Sequence, residues 1–264
     1  MGNKLALSNS KAMIKKKFIF TFLLKFFCSS LFGQDADSIP VKKANKKTAE
    51  IISIAVPSAM ITYGLISLGD NGIRKIDHNI YNSIEQNNRF WNIKADNYIQ
   101  YAPVVAAYAM KFCKVESTHN LLDMTIIYAI SSVITGSIVQ GSKSISHRTR
   151  PNGSNNHSFP SGHTAVAFVA AEFLHQEYKD KSTWISIGGY TAATFVGIAR
   201  IYNNKHWFSD VLTGAGIGIL TTKAVYWVYP NSRKKSEGKD HKLNTFFFPE
   251  YSNGNFSLAL SHTF

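Results

Sequence analysis

The chain has 264 residues, 45% of them hydrophobic, and a formal charge of +13 from 29 basic and 16 acidic residues. That is enough for one sizeable core with an N-terminal appendage, and no internal repeat or low-complexity block is present. The basic residues are scattered or terminal and build no nucleic-acid-binding module, so the charge points to an anionic membrane surface or an anionic substrate.

Residues 1–33 read as a signal peptide or N-terminal anchor. Lys11, Lys15, Lys16 and Lys17 precede a short apolar run over 18–27, and small residues close the segment at Gly33. The run is shorter than the ~20 residues a spanning helix needs. Cys28 falls inside the 1–33 segment, which leaves Cys113 as the one cysteine beyond it. No intrachain disulfide is then expected, and the fold must stand on its packing. Residues 34–49 form a polar, Lys-rich lead-in.

A helical domain is expected over 50–230. Six apolar segments, at 51–68, 98–113, 124–140, 163–177, 184–200 and 208–228, have the length of helices and lack strand-like alternation. Small residues recur inside them, among them Gly188, Gly189, Gly214, Gly216 and Gly218, and let helix backbones approach closely. The polar and aromatic stretch 69–97 reads as amphipathic helix lying on a surface. Residues 231–264 form a basic linker and tail. Alternation over 256–264 predicts a strand, paired as a hairpin across Asn253 and Gly254. The fold expected is all-α: a six-helix antiparallel bundle, its site at one end, with a short extended or hairpin tail.

Three clusters carry chemistry. Lys143 and Arg150-Pro151 follow the third segment. Pro160, Ser161, Gly162 and His163 open the fourth. Arg200, His206 and Asp210 bridge the fifth and sixth. Antiparallel packing brings these helix ends to one side. Lys143, Arg150 and Arg200 would then cradle an anion such as a phosphoryl group. Ser161 and Gly162 would add backbone N–H groups at a helix N-terminus. His206 and Asp210 are four apart and share a helical face, so the carboxylate is expected to bind one imidazole nitrogen while the other attacks phosphorus. His163 is the second proton-transfer group. His147, Arg148 and His157 read as solvated loop residues, and Trp207 as a packing aromatic.

The Lys/Arg-Pro, Pro-Ser-Gly-His and Arg/His/Asp elements, in this order and at these spacings, resemble the phosphatidic acid phosphatase type 2 and vanadium haloperoxidase superfamily over roughly 120–228. The resemblance implies that His206 is the nucleophile, Asp210 its partner and His163 the acid, while Lys143, Arg150, Ser161, Gly162 and Arg200 bind phosphate. Ala199 stands where the family usually has Ser, which implies weaker phosphate positioning. The function expected is a phosphatase acting on a phosphomonoester or diphosphate, lipid-borne as in phosphatidate, a lipid A phosphate or polyprenyl diphosphate. No metal and no other cofactor is expected. The alternatives are a soluble periplasmic acid phosphatase of broad specificity and a vanadate-dependent haloperoxidase.

Basic stretches at 42–47 and 231–242 flank the six segments, and six crossings between them would put the clusters outside the cytoplasm. A cleaved signal would reverse that count. The mean hydropathy of −0.09 is low for six spans, and Glu172 and Lys223 lie within segments. The expected location is the bacterial envelope, either an inner membrane with a periplasm-facing site or the soluble periplasm.

Overall fold

A computed structural model describes residues 46–87, 89–229, 245–252 and 255–262. The expected signal segment, the lead-in up to residue 45, the basic stretch 231–242 and the hairpin turn at Asn253 and Gly254 lie outside the described residues. Eight helices form among those described: α1 (Lys46–Ile66), α2 (Gly72–Gln86), α3 (Asp96–Ile99), α4 (Ala102–Phe112), α5 (Leu121–Ser146), α6 (Gly162–Tyr178), α7 (Thr183–Tyr202) and α8 (Phe208–Val228). Each expected apolar segment is one of them. The count of six is corrected to eight because the polar stretch 69–97 supplies α2 and the four-residue α3. Asn71 starts α2 by accepting the backbone N–H groups of Ile73 and Arg74 at 3.0 and 3.1 Å, which satisfies two donors that no helical carbonyl can reach. From Pro230 onward the chain is a separate compact unit. It is an antiparallel pair of β1 (Thr245–Ser252) and β2 (Asn255–His262), with Ser252 opposite Asn255.

α6 is the central helix, packed against α4, α5, α7 and α8. Twelve of its 17 residues are buried, so it is a core helix without a solvent face. Two buried acids in it are matched with partners. Glu172 pairs with Lys223 of α8 at 3.0 Å, and Glu177 meets His119 at 2.8 Å and accepts the Tyr226 hydroxyl at 2.6 Å. Pairing of this kind is what makes a buried carboxylate tolerable.

Glycines set how closely α8 lies on its neighbours. A Cβ at Gly214 would come within 2.5 Å of the Ser161 carbonyl oxygen, and one at Gly218 within 2.5 Å of the Ala165 carbonyl oxygen. Facing α1, a Cβ at Gly216 would come within 2.6 Å of the Pro57 carbonyl oxygen. Backbone contact on both sides therefore holds the start of α8 beside the start of α6.

Among the described residues, three helices are long and apolar enough to cross a membrane: Thr48–Ile66, Leu121–Ser146 and Phe208–Val228. That is three where six crossings were expected. Ile51, Ile52, Ile54 and Val56 on α1, and Leu122, Val133 and Ile138 on α5, leave their side chains largely exposed. Exposed apolar surface on this scale suits contact with lipid.

Gly214→Ala is expected to destabilise the protein by about 1–3 kcal/mol through overpacking. Gly188→Ala, whose Cβ would meet nothing within 4 Å, should keep or raise stability by up to about 1 kcal/mol, since Ala favours a helix interior over Gly. Thermal unfolding in detergent, followed by circular dichroism, compares them. Equal melting temperatures would show that the α6–α8 contact sets no limit.

Candidate active site

Lys143 lies in the last turn of α5, which ends at His147 in the left-handed region at φ 44°. The loop that follows is pinched at its neck, where the Ser158 N–H donates to the Arg148 carbonyl at 2.9 Å. Inside it the Arg150 N–H donates to the Asn155 carbonyl at 3.0 Å. Lys143 reaches the same loop and donates to the His157 carbonyl at 2.7 Å. At the end of α7 the Arg200 carbonyl accepts the N–H groups of Lys205 and His206 at 3.1 and 3.3 Å. This turn delivers His206 to the mouth of α8.

His206 is 2% exposed. Its Nδ1 lies 2.7 Å from the Ser158 carbonyl oxygen. A carbonyl only accepts, so Nδ1 carries the proton and Nε2 keeps a free lone pair. The expected hydrogen bond from Asp210 to the imidazole is corrected here: the nearer Asp210 oxygen is 3.7 Å from Nδ1. The Ser158 carbonyl takes that place, and Asp210 acts on the ring through its charge.

The Asp210 carboxylate is fully buried and has its own donors. Oδ1 accepts from Arg148 Nη1 at 2.8 Å, and Oδ2 accepts from the Ser158 hydroxyl at 2.5 Å and the Trp207 N–H at 2.9 Å. Arg148 also donates to Asp77 of α2 at 2.6 Å and to the Ser209 hydroxyl at 2.7 Å. Asp77 in turn accepts the Ser209 N–H at 2.9 Å. The reading of Arg148 as a solvated loop residue is therefore corrected. It is 7% exposed, because two buried carboxylates converge on it. Trp207 packs as expected: its ring lies against His78 and Arg148, and its Nε1–H donates to the Thr149 carbonyl at 2.8 Å.

The short helix α3 supplies two contacts that no motif announced. Asp96 accepts from Arg200 Nη1 at 2.7 Å, and Asn97 Oδ1 lies 2.9 Å from His163 Nε2. Asn203, just past α7, anchors the chain leading into α3 by bonding both the N–H and the carbonyl of Ile93. Ser161 is fully buried, but its N–H donates to the Asp210 carbonyl at 3.0 Å. Ser161 is thus spent on holding α6 to α8, which corrects its expected role as an amide donor. The Ser161 side chain makes no capping bond to α6, and the first-turn amides beginning at Gly162 stay open to an anion.

The cations are incompletely paired. The buried Nε atoms of Arg150 and Arg200 have no hydrogen-bond partner. Burial, with the positive charges of Arg200, Arg150 and Lys143, pushes His163 down to about 4, against a pull upward from Asp96. Burial likewise pushes His206 down to about 4, with Asp210 opposing and Lys143 and Arg150 adding to it. Both histidines feel Lys143 and Arg150, and His163 feels Arg200 as well. The structure has therefore brought the dispersed clusters close enough to act on one another electrostatically.

The PAP2 superfamily model matches residues 121–234. A lipid A 1-phosphatase of Porphyromonas gingivalis is 39% identical over 154 residues, 58% of this chain and 35% of that protein. This chain thus spans about a third of that relative's length. The bacitracin transport permease protein BcrC of Bacillus licheniformis is 30% identical over 165 residues, 54% of this chain and 78% of the other. The crystal structure of a transmembrane PAP2 type phosphatidylglycerolphosphate phosphatase from Bacillus subtilis aligns with a TM-score of 0.49 at 21% identity, over 70% of this chain and 99% of that one.

Removing Arg148 leaves two buried carboxylates without their shared partner. Arg148→Met is expected to cost about 3–5 kcal/mol, and Asp77→Asn less, since the Arg148–Asp210 pair survives it. Thermal melting of both variants measures this. A wild-type melting temperature for Arg148→Met would show that the network contributes nothing to the fold.

Proposed function

Starting from the fact that this chain belongs to the PAP2 superfamily, we propose that it is a phosphatase of lipid-borne phosphate that works through a phosphohistidine on His206. One observation carries the reading. A buried imidazole has its Nδ1–H committed to a carbonyl and its Nε2 free, in a pocket where buried guanidinium nitrogens have no partner. A phosphoryl group fits those vacant donors, and its phosphorus would meet Nε2.

The phosphoryl oxygens are held by Lys143, Arg150, Arg200 and the open amides at Gly162. Nε2 of His206 attacks phosphorus as the bond to the leaving oxygen breaks, and Asp210 offsets the positive charge that grows on the ring. His163 gives the leaving oxygen a proton. It then takes one from the water that hydrolyses the phosphohistidine, releasing phosphate. His163 is held low first by burial and then by neighbouring cations in the free protein. A bound phosphate offsets those cations and raises it, so the acid is charged once substrate arrives. The cationic side chains do the electrostatic work that a metal ion would otherwise do, and activity should survive excess chelator undiminished. Loss on chelation with recovery in Mg²⁺ would overturn the metal-free reading.

Exposed apolar helices and a relative named for lipid A support a lipid substrate, with phosphatidate, a lipid A phosphate and polyprenyl diphosphate as the candidates. We place the protein in the inner membrane, since three of its described helices are long and apolar enough to cross one.

Phosphate release from a panel of lipid phosphates and soluble esters tests the activity. His206→Ala should abolish it, and full activity in that variant would overturn the mechanism. The pH profile gives a second check. A histidine held low stays neutral from about pH 4 upward, so attack persists where an ordinary imidazole, near ~6.5, is already protonated. The acid limb of kcat/KM should therefore lie below about pH 5. An acid limb near ~6.5 would show that burial does not tune the nucleophile.

A further inference from the structure

Resting on the phosphatase reading, we infer that Asn97 is the positioning residue of the proton-transfer histidine: its side-chain carbonyl holds Nε2 of His163 and so directs Nδ1 to the leaving oxygen. Asn97 belongs to the short helix α3, outside all three motif clusters. Its Oδ1 lies 2.9 Å from His163 Nε2. An amide oxygen only accepts, so the proton of the neutral ring sits on Nε2 and the lone pair on Nδ1. The free ring is neutral at pH 7, since burial first and neighbouring cations after it hold His163 at about 4. Once the ring is charged, Nε2–H stays with Asn97 and Nδ1–H is the proton to give. A third residue that fixes the ring is what a proton-transfer histidine needs.

The contact has support on both sides. Asp96, the neighbour of Asn97, is 1% exposed and pairs with Arg200 at 2.7 Å. Gln100 donates to the Asn97 carbonyl at 2.8 Å. Upstream, the Trp91 N–H donates to the Tyr202 carbonyl at 2.8 Å, and the two rings stack with centroids 4.5 Å apart. Asn203 adds its two bonds to Ile93. These contacts tie α3 to the end of α7, so one short helix clamps the phosphate-binding Arg200 and the acid His163 together. Asn97 itself is exposed, and His163 is half-buried. An exposed amide fills no core. What it adds is direction: an imidazole in the first turn of a helix can rotate about both side-chain torsions, and this contact selects one orientation and one tautomer.

The step balances with the residues already named. Nε2 of His206 bonds to phosphorus as the P–O bond to the leaving group breaks, and that electron pair moves onto the oxygen. His163 Nδ1–H gives the oxygen its proton, and the alcohol departs. The ring, now neutral, keeps its Nε2–H on Asn97. Water then attacks the phosphohistidine, Nδ1 takes a proton from it, and phosphate is released.

The test compares p-nitrobenzyl phosphate with p-nitrophenyl phosphate on the purified full chain in detergent. The two differ by one methylene. The first loses an alkoxide, which needs a proton, and the second a stabilised phenolate, which does not. The ratio kcat/KM covers the steps only as far as departure of the leaving group, so the later hydrolysis does not enter it. Asn97→Ala should lower kcat/KM for p-nitrobenzyl phosphate about 10-fold or more, a part of the ~10²–10⁴ that general acid catalysis contributes. For p-nitrophenyl phosphate the fall should be far smaller. A melting temperature equal to wild type would show that the variant is folded. Nitrogen NMR of histidine-labelled protein gives a readout that needs no substrate, with the His163 signals identified by their loss in His163→Gln. Wild type should show the Nε2–H tautomer, and Asn97→Ala a mixture of the two. Equal falls on both esters, no fall on either, or an Nδ1–H tautomer in the wild type overturns the assignment of Asn97 alone. A wild type that releases phosphate from neither ester nor from phosphatidate overturns the phosphatase reading with it.

Discussion

The buried carboxylate of Asp210 is the constraint around which the site is built. A carboxylate without solvent needs donors on both oxygens, and the cost of leaving either one bare is high. Its three donors come from different parts of the chain: Arg148 and Ser158 at the two sides of a loop neck, and the Trp207 N–H at the start of α8. Satisfying one charge thus ties down the loop that carries Arg150, the turn that carries His206 and, through Asp77, the amphipathic helix α2. Ser158 serves twice, since its hydroxyl binds Asp210 while its carbonyl orients the imidazole. The tautomer of His206 and the position of the charge behind it are therefore set by the same residue.

On the opposite side of the imidazole the balance is reversed. Arg200 is offset by Asp96, whereas among the described residues Arg150 has no ion pair and Lys143 bonds a neutral carbonyl. Cations gathered this closely repel one another, and an anion relieves that repulsion. Burial is the main reason both histidines are held low, and the neighbouring cations add to it, because each added proton would bring another positive charge among them. Binding and protonation of His163 are thus coupled. In the proposed mechanism, the anion that satisfies the cations also favours the proton on His163.

Much of the helical frame and the three motif clusters are legible in the sequence, because both depend on local pattern. Apolar segments of helical length mark α1 and α4 through α8, and Lys143, Arg150, His163, Arg200, His206 and Asp210 stand at the helix ends and connecting turns that those segments define. What escaped the sequence reading was the supporting layer. Arg148 looks like a solvated loop residue because its partners Asp77 and Asp210 lie 71 and 62 positions away. Asp77 did leave a trace: Ile73, Asp77, Ile80 and Ile84 follow a four-three-four spacing, which puts an acid on the apolar stripe of α2. An acid in such a position requires a buried cation. Asp96 and Asn97 left none, since a four-residue helix has too few turns to show a period. The number of crossings was equally illegible. Glu172 and Lys223 look like interruptions of two spans until they are seen paired across α6 and α8.

The glycines of α8 explain why this support is sufficient. The nucleophile proposed at the mouth of α8 is only as well placed as the helix itself, and a displacement of about 1 Å can cost ~10²-fold in rate. Interdigitating large side chains would hold α8 through many adjustable rotamers. Gly214 and Gly218 instead bring its backbone against the backbone of α6, and Gly216 does the same against α1. Backbone contacts have no rotamers to relax. The same contact that seats Gly214 under the Ser161 carbonyl lies beside the hydrogen bond from the Ser161 N–H to the Asp210 carbonyl. The first turn of α6, which presents His163 and the open amides, and the first turn of α8, which presents Asp210, therefore behave as one rigid piece. Precision at His206 follows from helix packing, and the loops are left only the task of delivering charge.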